Sequence, residues 1–163
     1  MQLTLLCCLV ALTVASAGAQ QWTTSIANRA CYSVAVNPIS RNVIYVGNVA
    51  RTLLRSSDGG TTWEELYVGD GGAGGASLIT TLVVHPRDTA VLFAGGIAFA
   101  GLDRSTDAGQ SWENVLIDPK GNRFEVASSA CIVTNALYPD SMYVMRHNPA
   151  ELYLSINAGA TWD

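Results

Sequence analysis

The chain has 163 residues, of which 49% are hydrophobic and 13% charged, and 13 acidic against nine basic side chains give a net charge of -4. That length admits one domain or slightly more, and the apolar content excludes a disordered or collagen-like chain. Lys120 is the only lysine, so no basic stripe can follow a phosphate backbone, which argues against nucleic acid as a partner.

The first predicted element is a targeting segment. No charged residue precedes Arg29, and Leu3 to Ala15 is a run of Leu, Val, Ala, Thr and Cys. Its length suits a signal-peptide h-region and is too short to span a bilayer. Ala15-Ser16-Ala17 and Ala17-Gly18-Ala19 follow as small-residue cleavage sites. The pattern predicts a signal peptide over residues 1–19, export to a secreted, periplasmic or cell-surface location, and no transmembrane segment once it is removed.

The remaining chain repeats itself. Ser56-Ser57-Asp58-Gly59-Gly60-Thr61-Thr62-Trp63 matches Ser105-Thr106-Asp107-Ala108-Gly109-Gln110-Ser111-Trp112 and Ser155-Ile156-Asn157-Ala158-Gly159-Ala160-Thr161-Trp162. Positions 58, 107 and 157 stand 49 and 50 residues apart. Upstream, Val34-Ala35-Val36-Asn37-Pro38 and Val43-Ile44-Tyr45-Val46 correspond to Leu82-Val83-Val84-His85-Pro86 and Val91-Leu92-Phe93-Ala94. In the third copy Ile132 to Ala136 and Met142-Tyr143-Val144 take these places. Each unit reads as a short apolar strand, a turn, a second strand, a third ending at the serine and a fourth beginning at the tryptophan.

Four short strands in about fifty residues predict an all-β chain of propeller blades, each a four-stranded antiparallel sheet. The blades fall at about 31–68, 77–117 and 128–163 within a partial propeller spanning 20–163. The fourth strand of the first is expected over Thr62 to Val68, where Trp63 and Leu66 are mixed with Glu64 and Glu65 as suits an outer strand partly in water.

The repeated octapeptide has a structural reading that needs no ligand. An Asp or Asn before glycine, flanked by Ser or Thr, bonds nearby backbone N–H groups and closes a tight turn. The tryptophan then offers apolar surface between blades. Asn157 keeps the side-chain acceptor without the charge, which favours hydrogen bonding over acid chemistry or metal binding. Ser56, Asp58, Gly60, Thr62 and Trp63, Ser105, Asp107, Gly109, Ser111 and Trp112, and Ser155, Asn157, Gly159, Thr161 and Trp162 are thus assigned as structural.

These residues resemble the Asp-box, or bacterial neuraminidase repeat, over nearly all of the chain after the signal. The resemblance implies a β-propeller with each box on the blade periphery between the third and fourth strands. Sialidases, xyloglucanase-type glycoside hydrolases, sortilin-type receptors and photosystem-assembly factors share the repeat, so it implies a fold and leaves the activity open. Three blades do not close a ring, since propellers typically have four to eight, and the third unit stops one residue past Trp162. The chain is therefore expected to be the N-terminal part of a longer protein, with self-assembly as the alternative if it is complete. Gln21-Trp22-Thr23-Thr24-Ser25 resembles the start of a fourth strand without its own turn.

Cys31 and Cys131 fall in or beside the first strands of the first and third blades, too far apart for a disulfide in a closed ring. A strained or intermolecular bond is the alternative. Gly69 to Gly74 satisfies the G-x-G-x-x-G spacing, yet precedes the strand-like Leu78 to Val83 rather than a helix, so nucleotide binding is not expected. Arg29 lacks the Arg-Ile-Pro context of the sialidases, and Arg55 and Arg104, which recur immediately before the box serines, are read as structural. The non-box acids Asp103, Asp118, Glu125 and Asp140 are placed in loop-like segments with no spacing that pairs them for glycoside hydrolysis. His85 and His147 belong to no zinc motif, and His85, like Asn37, is read as a polar turn residue. No catalytic residue, cofactor or metal is predicted. The functional expectation is an exported, non-catalytic module for protein or glycan binding or scaffolding. The alternative is the N-terminal part of an exported sialidase-like or xyloglucanase-like hydrolase.

Overall fold

The structure is a computed structural model describing residue 26 and residues 29–69, 77–99, 101–116, 132–146 and 150–163. The signal segment, Trp22, Cys131 and the acids Asp118 and Glu125 lie outside the described residues, as does His147. Within them the chain is all-β, with eleven strands in three antiparallel sheets and no helix. No helix among them is long and apolar enough to cross a membrane.

The first sheet has the order β1 (Ser33–Val36), β2 (Ile44–Gly47), β3 (Thr52–Ser56), β4 (Glu64–Tyr67). The second repeats it with β5 (Leu78–Val84), β6 (Leu92–Ile97), β7 (Asp103–Ser105) and β8 (Glu113–Asn114). The third pairs β9 (Ile132–Thr134), β10 (Met142–Arg146) and β11 (Glu151–Ser155). Leu154 and Asp163 exchange backbone hydrogen bonds of 2.9 and 3.0 Å, so a fourth-strand pairing begins where Arg55 meets Glu64 and Arg104 meets Glu113 in the other sheets. Of the glycine-rich segment only Gly69 is described, and the next described element is strand β5.

The fourth strand of the first sheet is shorter than Thr62 to Val68, running only from Glu64 to Tyr67. Thr62 is committed to the preceding turn, where its N–H donates to Asp58 Oδ1 at 2.8 Å. Pairing therefore starts beyond the tryptophan in both complete sheets.

Cores form between sheets rather than within them. Tyr45 and Leu53 of the first sheet pack with Leu82, Val84 and Leu92 of the second. Phe93 and Leu102 of the second pack with Ile132, Met142 and Val144 of the third. The strands of the second sheet are apolar on both faces because that sheet is covered on both sides. At the inner strands, Ser33 Oγ donates to the Ile79 carbonyl at 2.7 Å and the Ile79 N–H to the Asn48 carbonyl at 3.1 Å. Stacked antiparallel sheets joined in this way are blades of a partial propeller.

Candidate functional site

The three octapeptides form three nearly identical turns. In the first, Ser56 Oγ accepts the Gly60 N–H at 2.8 Å and donates to Asp58 Oδ1 at 2.8 Å. Asp58 Oδ1 also accepts the Thr62 N–H at 2.8 Å, and Oδ2 accepts the Thr62 hydroxyl at 2.6 Å. The second turn repeats this. Ser105 Oγ accepts the Gly109 N–H at 2.9 Å, and Asp107 accepts the N–H and hydroxyl of Ser111 at 2.8 and 2.5 Å. In the third, Ser155 Oγ accepts the Gly159 N–H at 2.9 Å and Asn157 Oδ1 accepts the Thr161 N–H at 2.9 Å.

Each turn is clasped to the neighbouring turn of its own sheet. Gly59 N–H donates to the Asn42 carbonyl, Ala108 N–H to that of Ala90 and Ala158 N–H to that of Asp140, at 2.9, 2.9 and 3.0 Å. The boxes therefore share one end of the sheets with the β1–β2, β5–β6 and β9–β10 turns. Two of the tryptophans pack on the cores between sheets. Trp112 packs on the core between the first two sheets, and Trp162 meets Phe93 edge-on, centroids 6.4 Å apart. Trp63 and Trp112 also donate through Nε1 to the carbonyls of Gly60 and Gly109, at 3.1 and 3.0 Å.

Electrostatically the box acids are acceptors held in the charged form. The Thr62 hydroxyl, followed by the Thr62 N–H, lowers the Asp58 carboxyl to about 2, and the Ser111 hydroxyl does the same to Asp107. A carboxylate this reluctant to hold a proton serves poorly as a general acid or base near neutral pH.

The other candidate residues are scattered. Asp103 is not in a loop; it opens β7, is buried, and accepts from Arg51 Nη1 at 3.0 Å and Asn114 Nδ2 at 3.0 Å. The Arg51 guanidinium lies 4.3 Å over the Phe99 ring, so a desolvated cation, an acid and an aromatic ring join the first two blades at the end away from the boxes. Asp140 is at the box end, its side chain 66% exposed. Arg104 Nε donates to the Ala158 carbonyl at 3.3 Å, Arg55 pairs with Glu64 and Arg29 with Glu65. His85 accepts the Asp88 N–H through Nδ1 at 3.0 Å, as Asn37 Oδ1 accepts those of Ile39 and Ser40 at 2.9 Å. Cys31 is a free, exposed thiol. Among the described residues no three His, Cys, Asp or Glu side chains cluster to hold a metal. A shallow groove of about 320 Å³ beside the first box is lined by Arg55, Ser57, Thr62, Trp63 and Glu64.

Sequence reasoning missed two features. The box serine is the hub of its turn rather than a flank, which the pattern of residue types does not rank. The Arg51–Asp103 pair was marked by a break in the repeat, since the positions matching Asp103 are Leu54 and Tyr153.

Stacked four-stranded sheets carrying this turn between their third and fourth strands define β-propeller blades of the Asp-box type. No family model matches the chain. A xyloglucanase of Acetivibrio thermocellus is 33% identical over 95 residues, covering 51% of this chain and 11% of that protein. A xyloglucanase of a Paenibacillus species is 26% identical over 159 residues, covering 80% of this chain and 16% of the relative. The chain thus spans only 11% to 16% of the length of these relatives. Among solved structures, the GH74 xyloglucanase of Xanthomonas campestris superposes with a TM-score of 0.58 at 23% identity, over 82% of this chain and 23% of that one. The YCF48 protein of Cyanidioschyzon merolae superposes at 0.60 and 20% identity, over 83% and 39%. A YCF48 structure bound to D1 peptide superposes at 0.55, with 20% identity over the same shares. At these identities the structural likeness is one of fold.

Proposed function

We propose that this chain is an exported, non-catalytic propeller module that binds a protein or glycan partner, or scaffolds one. The observation that carries the reading is that Asp58 and Asp107 are consumed by their own turns. Asp103 is likewise consumed by Arg51 and Asn114, at the opposite end of the sheets from the exposed Asp140. Two carboxylates facing one cleft, as glycoside hydrolysis needs, are not assembled by these residues. Both partner classes have support in similar folds, the glycan in the xyloglucanases and the peptide in YCF48 bound to D1 peptide.

The second reading, part of an exported glycoside hydrolase, is favoured by the names of the sequence relatives and by the small share of their length that the chain spans. One experiment separates the two. The purified chain is incubated with xyloglucan, β-glucans and sialosides, with reducing-sugar release and retention on immobilised glycans and peptides measured in parallel. Retention without release supports the binding module. Release of sugar would establish the hydrolase instead.

A further inference from the structure

The box-end turns of the second and third blades enclose a groove that the repeat does not explain. It measures about 350 Å³ and is lined by Arg87 from the β5–β6 turn, by Tyr138, Asp140 and Ser141 from the β9–β10 turn, and by Ile156 from the third box. Both walls are blades of this chain, and the volume falls at the lower end of the roughly 300 to 1,000 Å³ of small-ligand clefts. At the joint between the first two blades, Ile39, Asp88, Ala90 and Thr106 stand where Arg87, Tyr138, Asp140 and Ile156 stand here. Ala90 and Asp140 are equivalent through the bond that each carbonyl accepts from its own box. The blades are built from recurring positions, so four side chains that do not recur, meeting at one joint, serve something other than the fold.

His85 departs from the repeat at the same joint. It is 2% exposed and accepts the Asp88 N–H through Nδ1 at 3.0 Å, the duty that Asn37 Oδ1 performs in the first blade. With Nδ1 accepting, the neutral ring carries its proton on Nε2, which leaves no lone pair there for a metal. Nε2 has no hydrogen-bond partner and lies 3.9 Å from Asp140 Oδ1, too far for a direct bond. A hydroxyl between the two closes the gap, accepting from Nε2 and donating to the carboxylate.

The remaining groups select the ligand. Among the described residues Arg87 has no acid partner and Asp140 no arginine, and their opposite charges suit a neutral ligand rich in both donors and acceptors. The Tyr138 ring, 67% exposed, adds a flat apolar face. Main-chain N–H groups around the groove are already spent, that of Leu137 on Asn135 Oδ1, of Ser141 on the Tyr138 carbonyl and of Ala158 on the Asp140 carbonyl, so an extended peptide does not find these donors. We infer that the groove binds a neutral glycan, one sugar ring lying on Tyr138 with neighbouring hydroxyls donating to Asp140 and accepting from Arg87 and His85 Nε2. The inference rests on the binding-module reading and gives it a site and a ligand class.

Retention of the purified chain on immobilised xyloglucan, β-glucan, sialosides and peptides tests this, with thermal midpoints read alongside. The expected result is retention on a neutral glycan, weakened about tenfold in Tyr138→Ala and Asp140→Ala, the loss one good contact carries, and kept in Tyr138→Phe. Asp140→Asn replaces Asp140→Ala if the latter does not fold. His85→Asn installs the residue the first blade already uses, so its midpoint should hold while retention falls severalfold. Full retention of the neutral glycan by Tyr138→Ala and Asp140→Ala overturns the groove and leaves the binding-module reading standing. Retention on sialosides alone or on peptides alone overturns the neutral-glycan assignment in the same way. Retention on none of the four overturns both.

Discussion

In the third box Asn157 Nδ2 donates to Thr161 Oγ1 at 2.8 Å, reversing the bond in which the Thr62 hydroxyl donates to Asp58 Oδ2 at 2.6 Å. A hydroxyl both gives and accepts, so the turn survives the exchange of acid for amide. The essential acceptor is Oδ1, which receives the backbone N–H of Thr62, Ser111 or Thr161 in all three turns. Asp58→Asn should therefore lower the thermal midpoint only slightly, whereas Asp58→Ala, which orphans the Thr62 N–H, should lower it by several times as much. Equal losses, read by differential scanning calorimetry, would show that the charge itself holds the turn.

The same bonds set an acid limit. Asp58 and Asp107 sit at about 2 in the folded chain against an ordinary 3.8, chiefly because the Thr62 and Ser111 hydroxyls donate to them. A carboxyl depressed on folding contributes stability that is fully present above its unfolded value and lost as pH falls through the folded one. Urea midpoints should therefore fall between about pH 4 and pH 2. In Asp58→Asn/Asp107→Asn that part of the profile should flatten; an unchanged slope would mean that other acids set it.

The repeat made the blades legible because five positions recur at a fixed interval, and each of them has a backbone duty that side-chain chemistry alone explains. Strand ends were less legible. Thr62 reads as a strand residue by composition but is held in the turn by Asp58. The joint between blades was legible only in part, since Trp112 and Trp162 announce apolar packing while the Arg104 bond to the Ala158 carbonyl depends on a tertiary approach that no local pattern encodes. A partner is not legible from the boxes, because their recurring serine and Asp or Asn side chains are spent on the turn.

Box glycines differ in what lies against them. Gly159 has φ +70° and a Cβ there would collide with the Phe93 ring of the neighbouring blade. Gly59 has φ +74° with only Asn42 Oδ1 nearby, 3.8 Å away, and its counterparts in the other boxes are already alanines, Ala108 and Ala158 at φ 59° and 53°. Gly159→Ala should cost roughly 2 to 5 kcal/mol, combining left-handed backbone strain with overpacking. Gly59→Ala should stay within about 1 kcal/mol. Urea unfolding of the two variants side by side measures the contrast, and equal losses would remove Phe93 from the account.

Export is checked at the N-terminus. The small-residue sites after the Leu3 to Ala15 run predict a secreted product beginning at Gly18 or Gln20 when the chain is expressed with its leader in a secreting host. Edman sequencing or intact mass of the culture medium reads this directly. Retention of Met1 on a chain that stays inside the cell would make residues 1–19 part of the folded protein instead.

The buried pair that ties the first two blades gives the most demanding test. Arg51 and Asp103 have side chains 13% and 6% exposed and meet at 3.0 Å. Asp103→Ala leaves the guanidinium desolvated beside Phe99 without its acid, a loss of about 3 to 5 kcal/mol. Replacing both partners by apolar residues removes the uncompensated charge, and the repeat itself already accommodates leucine at this place, as Leu54. Arg51→Met/Asp103→Leu should therefore recover most of the loss in urea unfolding. A double variant as unstable as Asp103→Ala would show that Asn114, which also donates to Asp103, rather than the ion pair, is what the joint depends on.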